Sequence, residues 1–311
     1  MTQSNDRLTR VRWSVEGLSV GDAFGESLFF QGAAQYVAHS LETMIEKRIP
    51  PSSRWYYTDD TQMALSIVEV LRKCGEIDQE QLARSFAHHF EPTRGYGPAM
   101  YRLIPQLQSG RSWEKAAHSL FNGQGSFGNG GAMRVAPVGA FFADDLEATV
   151  ENARRSAEVT HAHPEASAGA IAVAVAAAWA WRLRDTEPLP RGQDFLELVL
   201  PYIPESQVRA GVVRAGKVPA NTSIWNVVRE LGNGSGISAQ DTVPFVLWCA
   251  AQYLDNYEEA LWLTASGQGD MDTNCAMVGG IVATHTGTEG IPAKWLHHRE
   301  ALPTWPFMER E

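Results

Sequence analysis

Thr58-Asp59-Asp60-Thr61-Gln62-Met63-Ala64-Leu65-Ser66-Ile67-Val68-Glu69-Val70-Leu71-Arg72 holds an amphipathic segment and a row of oxygen ligands in one stretch. Ala64, Leu65, Ile67, Val68 and Leu71 fall on a broad apolar stripe at helical spacing, and Thr58, Asp59 and Asp60 stand upstream as capping residues. A helix N-terminus therefore lies beside two carboxylates. The same periodicity predicts helices over 79–90, 98–108, 112–121, 145–158, 165–184, 193–200, 206–214, 223–231, 240–252 and 256–265. A last strong helix begins near Asp272 or Thr273 and continues through Ala276, Met277, Ile281 and Val282. Val11, Val15 and Leu18 define another helix that runs into Gly21-Asp22-Ala23-Phe24-Gly25, where the glycine pair suggests a helix end and a close backbone approach. Few stretches alternate as a half-buried strand does, so the expected fold class is all-α.

A chain of 311 residues with 10 Trp, 12 Phe and 8 Tyr has enough apolar material for a sizeable core, which excludes a disordered chain. One domain over 1–311 is expected, because the proline-containing loop Arg184–Pro190 and the Pro- and Trp-rich tail after Gly287 are too short and too apolar to link independent domains. The longest charge-free apolar run, Ala166 to Trp181, is a little short for a bilayer and fits a buried core helix. No secretory signal is legible in the first residues, and the expected location is cytoplasmic. Three cysteines without C-x-x-C spacing disfavour a disulfide framework or a structural zinc site. A formal net charge of −10 disfavours non-specific capture of nucleic acid, so an anionic ligand needs a local donor site or a metal.

Thr58-Asp59-Asp60-Thr61 offers oxygen ligands alone, as hard cations such as magnesium and manganese require. Taken singly it fits an N-cap with a spare acid. A second cluster, Gly269-Asp270-Met271-Asp272-Thr273, repeats the chemistry before another helix. Four carboxylates brought together repel unless protonated or neutralised, and a site for one or two metal ions explains both clusters. The glycine-rich run 123–134 contains a literal G-x-G-x-x-G but lacks a preceding strand, which weakens a dinucleotide fingerprint. Its backbone N–H groups can instead form a nest for a pyrophosphate, with Ser126 and Asn129 adding directional bonds; an ordinary glycine-rich turn is the alternative. In Thr160-His161-Ala162-His163-Pro164-Glu165, the proline suits a first helical turn. No third nitrogen or sulfur ligand joins the histidines, so His161 is expected to hydrogen-bond or stack and His163 to play a core or surface role. His88 and His89 fit a solvated helix face.

In this order GDAFG (21–25), TDDT (58–61), SFGNGGAMRVAPVG (126–139), THAHPEA (160–166) and GDMDTNCAMVGG (269–280) resemble the ADP-ribosylglycohydrolase family over almost the whole chain. The resemblance implies a compact, single-domain orthogonal helical bundle with two Mg²⁺ or Mn²⁺ ions. It implies hydrolysis of the glycosidic bond between ADP-ribose and a modified acceptor. Thr58, Asp59, Asp60, Asp270, Asp272 and Thr273 become the expected metal-site residues. Asp60, Asp59, Asp272 and Asp22 become the catalytic candidates, with an aspartate accepting the proton of the attacking water. Gly125, Ser126, Phe127, Gly128, Asn129, Gly130 and Gly131 would take the diphosphate, Phe127 or Phe121 the adenosine, and His161 the ribose side. The implied partner is an ADP-ribosylated protein or small molecule. An ADP-ribosylated nucleic-acid end stays open, and no membrane is involved.

The chain departs from the family at Phe29, where many members have a glutamate; Glu26 lies three residues short of that position. This leaves an ADP-ribose-binding module, or a silent relative, as the alternative. A metal-dependent phosphohydrolase and a crystallin-like scaffold are the remaining ones. The acceptor, the choice between Mg²⁺ and Mn²⁺ and the oligomeric state are not encoded legibly.

Overall fold

The structure, a computed structural model, describes residues 2–33 and 40–308. Its elements are α1 (Thr2–Ala33), α2 (Leu41–Lys47), α3 (Asp59–Cys74), α4 (Gln79–His89), α5 (Met100–Gln108), α6 (Trp113–His118), α7 (Gly130–Met133), α8 (Ala136–Phe141) and α9 (Leu146–Glu158). The chain continues through α10 (Pro164–Arg182), α11 (Gln193–Val199), α12 (Gln207–Ala215), α13 (Ile224–Leu231), α14 (Ala239–Gln252), α15 (Tyr257–Ser266), α16 (Met271–Thr286) and α17 (Ala293–His298). Among the described residues β pairing is limited to two isolated bridges, Trp55 with Arg299 and Gly128 with Ser238. The all-α bundle expected from periodicity is therefore the fold. Among the described residues no helix is long and apolar enough to cross a membrane.

The central pair is α1 and α16. A Cβ built on Gly17, Gly21 or Gly25 would lie 2.4 Å from Gly279 O, 2.1 Å from Cys275 O and 2.3 Å from Met271 O respectively. Positions rise along α1 as they fall along α16, so the helices run antiparallel and touch backbone to backbone. Only glycine fits these contacts. The glycines of 21–25 therefore mark the close approach anticipated for them but not a helix end, because α1 continues to Ala33. Steric clearance against α16, and no need for a turn, explains the Gly21–Gly25 spacing. One consequence positions the site: Asp22 is brought beside the N-terminus of α16.

The alanine-rich α10 is buried along nearly its whole length and packs on α7, α8, α9, α14 and α16, its small side chains allowing close neighbours on several faces. A contiguous apolar core runs from Val11 on α1 to Trp295 on α17. Phe24 stacks on Trp295 at 4.5 Å and meets Trp262 edge-on at 4.9 Å. These aromatic contacts dock the Trp-rich tail under α1.

The helix expected over 112–121 is shorter, ending at His118. Phe121 and Asn122 have φ of 51° and 59°, a left-handed pair that breaks the helix ahead of the glycine loop. Four short helices, α2, α7, α8 and α17, were not expected; with four to seven residues each offers little periodicity to read, although α6 and α11, of similar length, fell within expected ranges.

Candidate active site

The middle of α1 and the N-termini of α3 and α16 bring their acids together. Asp22 is fully buried and accepts from Thr58 N–H (3.0 Å), Thr58 Oγ1 (2.8 Å), Thr61 N–H (3.1 Å) and Thr61 Oγ1 (2.5 Å). It thereby clamps the first turn of α3 to α1. Thr58 is the N-cap residue of α3 but makes no capping bond with its side chain, and neither does Asp270 at α16. The capping role expected of Thr58 is thus not the one it plays; its hydroxyl turns to Asp22 and Asp60. The Thr58 hydroxyl also lies 2.9 Å from Asp60 Oδ2. It has one proton for two carboxylates, so serving both at once requires a proton on one of them. Asp60 is 1% exposed and its Oδ1 has no protein partner.

Across the cleft, Asp270 Oδ2 accepts from Asn129 Nδ2 at 2.7 Å, and Asn129 also donates to Thr242 Oγ1 at 3.2 Å. The sequence assigned the Asn129 amide to a ligand; both its hydrogens are instead engaged with protein, and it braces the glycine loop against α16. Burial, reinforced by Asp272, drives the Asp59 carboxyl well above its ordinary range and Asp270 to about 8. Burial likewise raises Asp60, with Asp22 and Asp272 adding to it, and raises Asp22 to about 7. Among the described residues no three His, Cys, Asp or Glu side chains stand as a closed ligand set. The donors nevertheless suit a hard cation: all are oxygens, they repel one another, and Asp60 Oδ1 is buried without a partner.

These acids floor a cleft of about 550 Å³. Asp59, Asp60, Asp270, Asp272 and Thr273 line its buried end, while Thr58 and Asp22 lie behind it. Ser126, Phe127, Gly128, Asn129 and Gly130 form one wall; Gly125 and Gly131 lie behind it, against Ala162–His163 and Ala157. Phe121 and Phe127, 47% and 40% exposed with ring centroids 6.3 Å apart, stand at the mouth. The Ser126 hydroxyl accepts from Gly128 N–H at 3.2 Å, which shapes the loop. His161 reaches the same wall, and burial together with Arg134 lowers its pKa to about 3, leaving a neutral imidazole. His163 is accounted for as the N-cap of α10, accepting from Glu165 N–H. His89, expected on a solvated face, instead stacks on Trp305 at 3.5 Å.

Sequence reasoning missed Arg134 and Thr160, and it named Thr61 only as one of the oxygen ligands of TDDT. Arg134 is fully buried and donates to Gly130 O, Ser156 O and Thr160 Oγ1 at 2.9–3.0 Å. Thr61 was legible within TDDT, but its bond to Asp22 depends on how α1 meets α3. Phe29 is 55% exposed. Glu26, one helical turn after Asp22, is half-buried, and burial together with Asp272 and Asp22 raises it to about 7. A larger groove, about 920 Å³ between Arg12, Glu16 and the tail from Arg299 to Met308, has neither an acid cluster nor a glycine loop.

The model of the ADP-ribosylglycohydrolase family matches residues 3–308. ADP-ribosylhydrolase ARH3 of Mus musculus is 29% identical, the match covering 93% of this chain and 86% of that protein. ADP-ribosylarginine hydrolase Tri1 of Serratia proteamaculans is 25% identical over 94% of this chain and 75% of its own length. A solved ADP-ribosylglycohydrolase-related protein complex superposes with a TM-score of 0.64 at 24% identity, covering 95% of this chain and 94% of its own, and so shares the fold. With a family match from one end of the bundle to the other, the chain belongs to the ADP-ribosylglycohydrolase family.

Proposed function

We propose that this protein is a cytoplasmic, Mg²⁺- or Mn²⁺-dependent hydrolase that cleaves the glycosidic bond between ADP-ribose and a modified acceptor, releasing ADP-ribose. The observation that bears most weight is one cleft joining a buried four-aspartate floor to a glycine-loop wall with two aromatic rings at its mouth. Family membership and relatives named for ADP-ribosyl hydrolysis support the same reading. The bacterial relative's name makes ADP-ribosylarginine the first acceptor to test.

Asp59, Asp60, Asp270, Asp272, Thr273 and Thr58 would hold the ions. When bound, such cations fix ribose hydroxyls and stabilise negative charge on oxygen. The protein's own groups divide the remaining work. Gly125 to Gly131 approach the diphosphate through backbone, and Phe121 or Phe127 offers a face to the adenine. An aspartate of the floor takes the proton of the attacking water, since breakage of an anomeric bond through an oxocarbenium-like state needs a base positioned on one face. Asp22 holds the first turn of α3 and so the direction of Asp59 and Asp60.

Phe29, an exposed ring at the position where the family resemblance leads one to expect a glutamate, favours a second reading, an ADP-ribose-binding module. Incubation with ADP-ribosylated arginine, serine and nucleic-acid ends, with Mg²⁺, Mn²⁺ or EDTA, separates the two. Metal-dependent release of ADP-ribose supports the hydrolase; tight binding of ADP-ribose with no release from any acceptor supports the module.

A further inference from the structure

We infer that Arg134 and Thr160 act as positioning residues that fix His161 as a permanent Nε2–H donor facing the glycine-loop wall. Arg134 Nη2 donates to Thr160 Oγ1 at 2.9 Å, and Thr160 Oγ1 lies 2.7 Å from His161 Nδ1. A guanidinium can only donate, so it fills one of the hydroxyl's two acceptor sites, and His161 Nδ1 is the acceptor that the structure places within reach of the buried threonine proton. Nδ1 then accepts, and in a neutral imidazole the proton must reside on Nε2. The geometry around the ring agrees. A Cβ on Gly130 would stand 2.8 Å from Nε2 and one on Gly128 3.3 Å from it, so both glycines leave room for this edge of the ring.

The relay is rigid. Arg134 and Thr160 are fully buried, and the same guanidinium donates to Gly130 O at 3.0 Å and Ser156 O at 2.9 Å while lying 4.7 Å over the Phe86 ring. One buried cation thus ties the glycine loop and the His161 tautomer together. Its charge also opposes an imidazolium. His161 accordingly donates to an acceptor oxygen of the ligand and is not the base for the attacking water. The ligand half of this inference rests on the proposed ADP-ribose site; the tautomer half does not.

Long-range ¹H–¹⁵N correlation spectra of the ¹⁵N-labelled full chain at pH 7 test it, with His161→Gln identifying the resonances. The relay predicts a pyridine-like Nδ1 and a pyrrole-like Nε2 for His161. Thr160→Val should mix the tautomers and weaken ADP-ribose binding about threefold to tenfold, and Thr160→Ser should retain both wild-type properties. A protonated Nδ1 in the wild type, or a Thr160→Val spectrum and affinity identical to wild type, overturns the relay. If ADP-ribose moves neither His161 resonance in the wild type, the assigned ligand is wrong, whereas the tautomer is decided by the ligand-free spectra alone.

Discussion

Asn129 Nδ2 stands 2.7 Å from Asp270 Oδ2, joining residues 141 apart in sequence and holding the glycine loop against the N-terminus of α16. The bond orients a carboxylate of the proposed metal site from outside it. Partners of this kind commonly govern metal affinity by tenfold to a hundredfold. Asn129→Ala should therefore weaken Mn²⁺ binding by about that factor in titration calorimetry. An unchanged affinity would show that Asp270 needs no brace.

Asp60 has one oxygen on Thr58 and the other buried with no partner. Asp60→Asn keeps the volume and removes the charge. The expected outcome is loss of Mn²⁺ binding and a fall in turnover to background, with the helical content by circular dichroism unchanged. Full activity in this variant would remove Asp60 from the metal site.

The acid cluster gives the metal-free protein a distinctive response to pH. Asp22 titrates near 3.8 when unperturbed and near 7 in the fold, and Asp270 is raised to about 8. Between these values the native state holds more protons than the unfolded chain. The stability these groups contribute is therefore complete below about pH 4 and is lost as pH rises through 7 to 8. In EDTA the thermal midpoint should decline from pH 5 to pH 8, and saturating Mg²⁺ should raise it more at pH 8 than at pH 5. A midpoint in EDTA that climbs over this range contradicts the clustering.

Gly21 lies against Cys275 O, where a methyl group would come within 2.1 Å of a backbone atom that cannot swing aside. Gly21→Ala should cost about 3 kcal/mol, measured by urea denaturation. It should also reduce metal affinity, because Asp22 and α16 share this contact.

What the sequence made legible follows a physical divide. Helices of eight residues or more repeat their apolar stripe often enough to be found, so α3, α4, α5, α9, α10 and α16 lay close to their expected bounds. Asp59, Asp60, Asp270 and Asp272 were found because local composition, four acids in two short motifs, declares them. Arg134 was not, although it lies within the quoted SFGNGGAMRVAPVG motif, because its role depends on Ser156 near the end of α9 and Thr160 in the turn after it. The bond of Asn129 to Asp270 was not legible for the same reason: the two residues are distant in sequence. The Gly21–Gly25 pair signals both a close approach and a helix end, because clearance against another helix and a turn demand the same residue. Only the position of α16 distinguishes them.

Release of free ADP-ribose from an ADP-ribosylated arginine peptide, in Mg²⁺, Mn²⁺ and EDTA beside an Asp60→Ala control, tests the central claim most directly. Release that requires the metal and vanishes in the control is the predicted result. Release that persists undiminished in EDTA and in Asp60→Ala would contradict it.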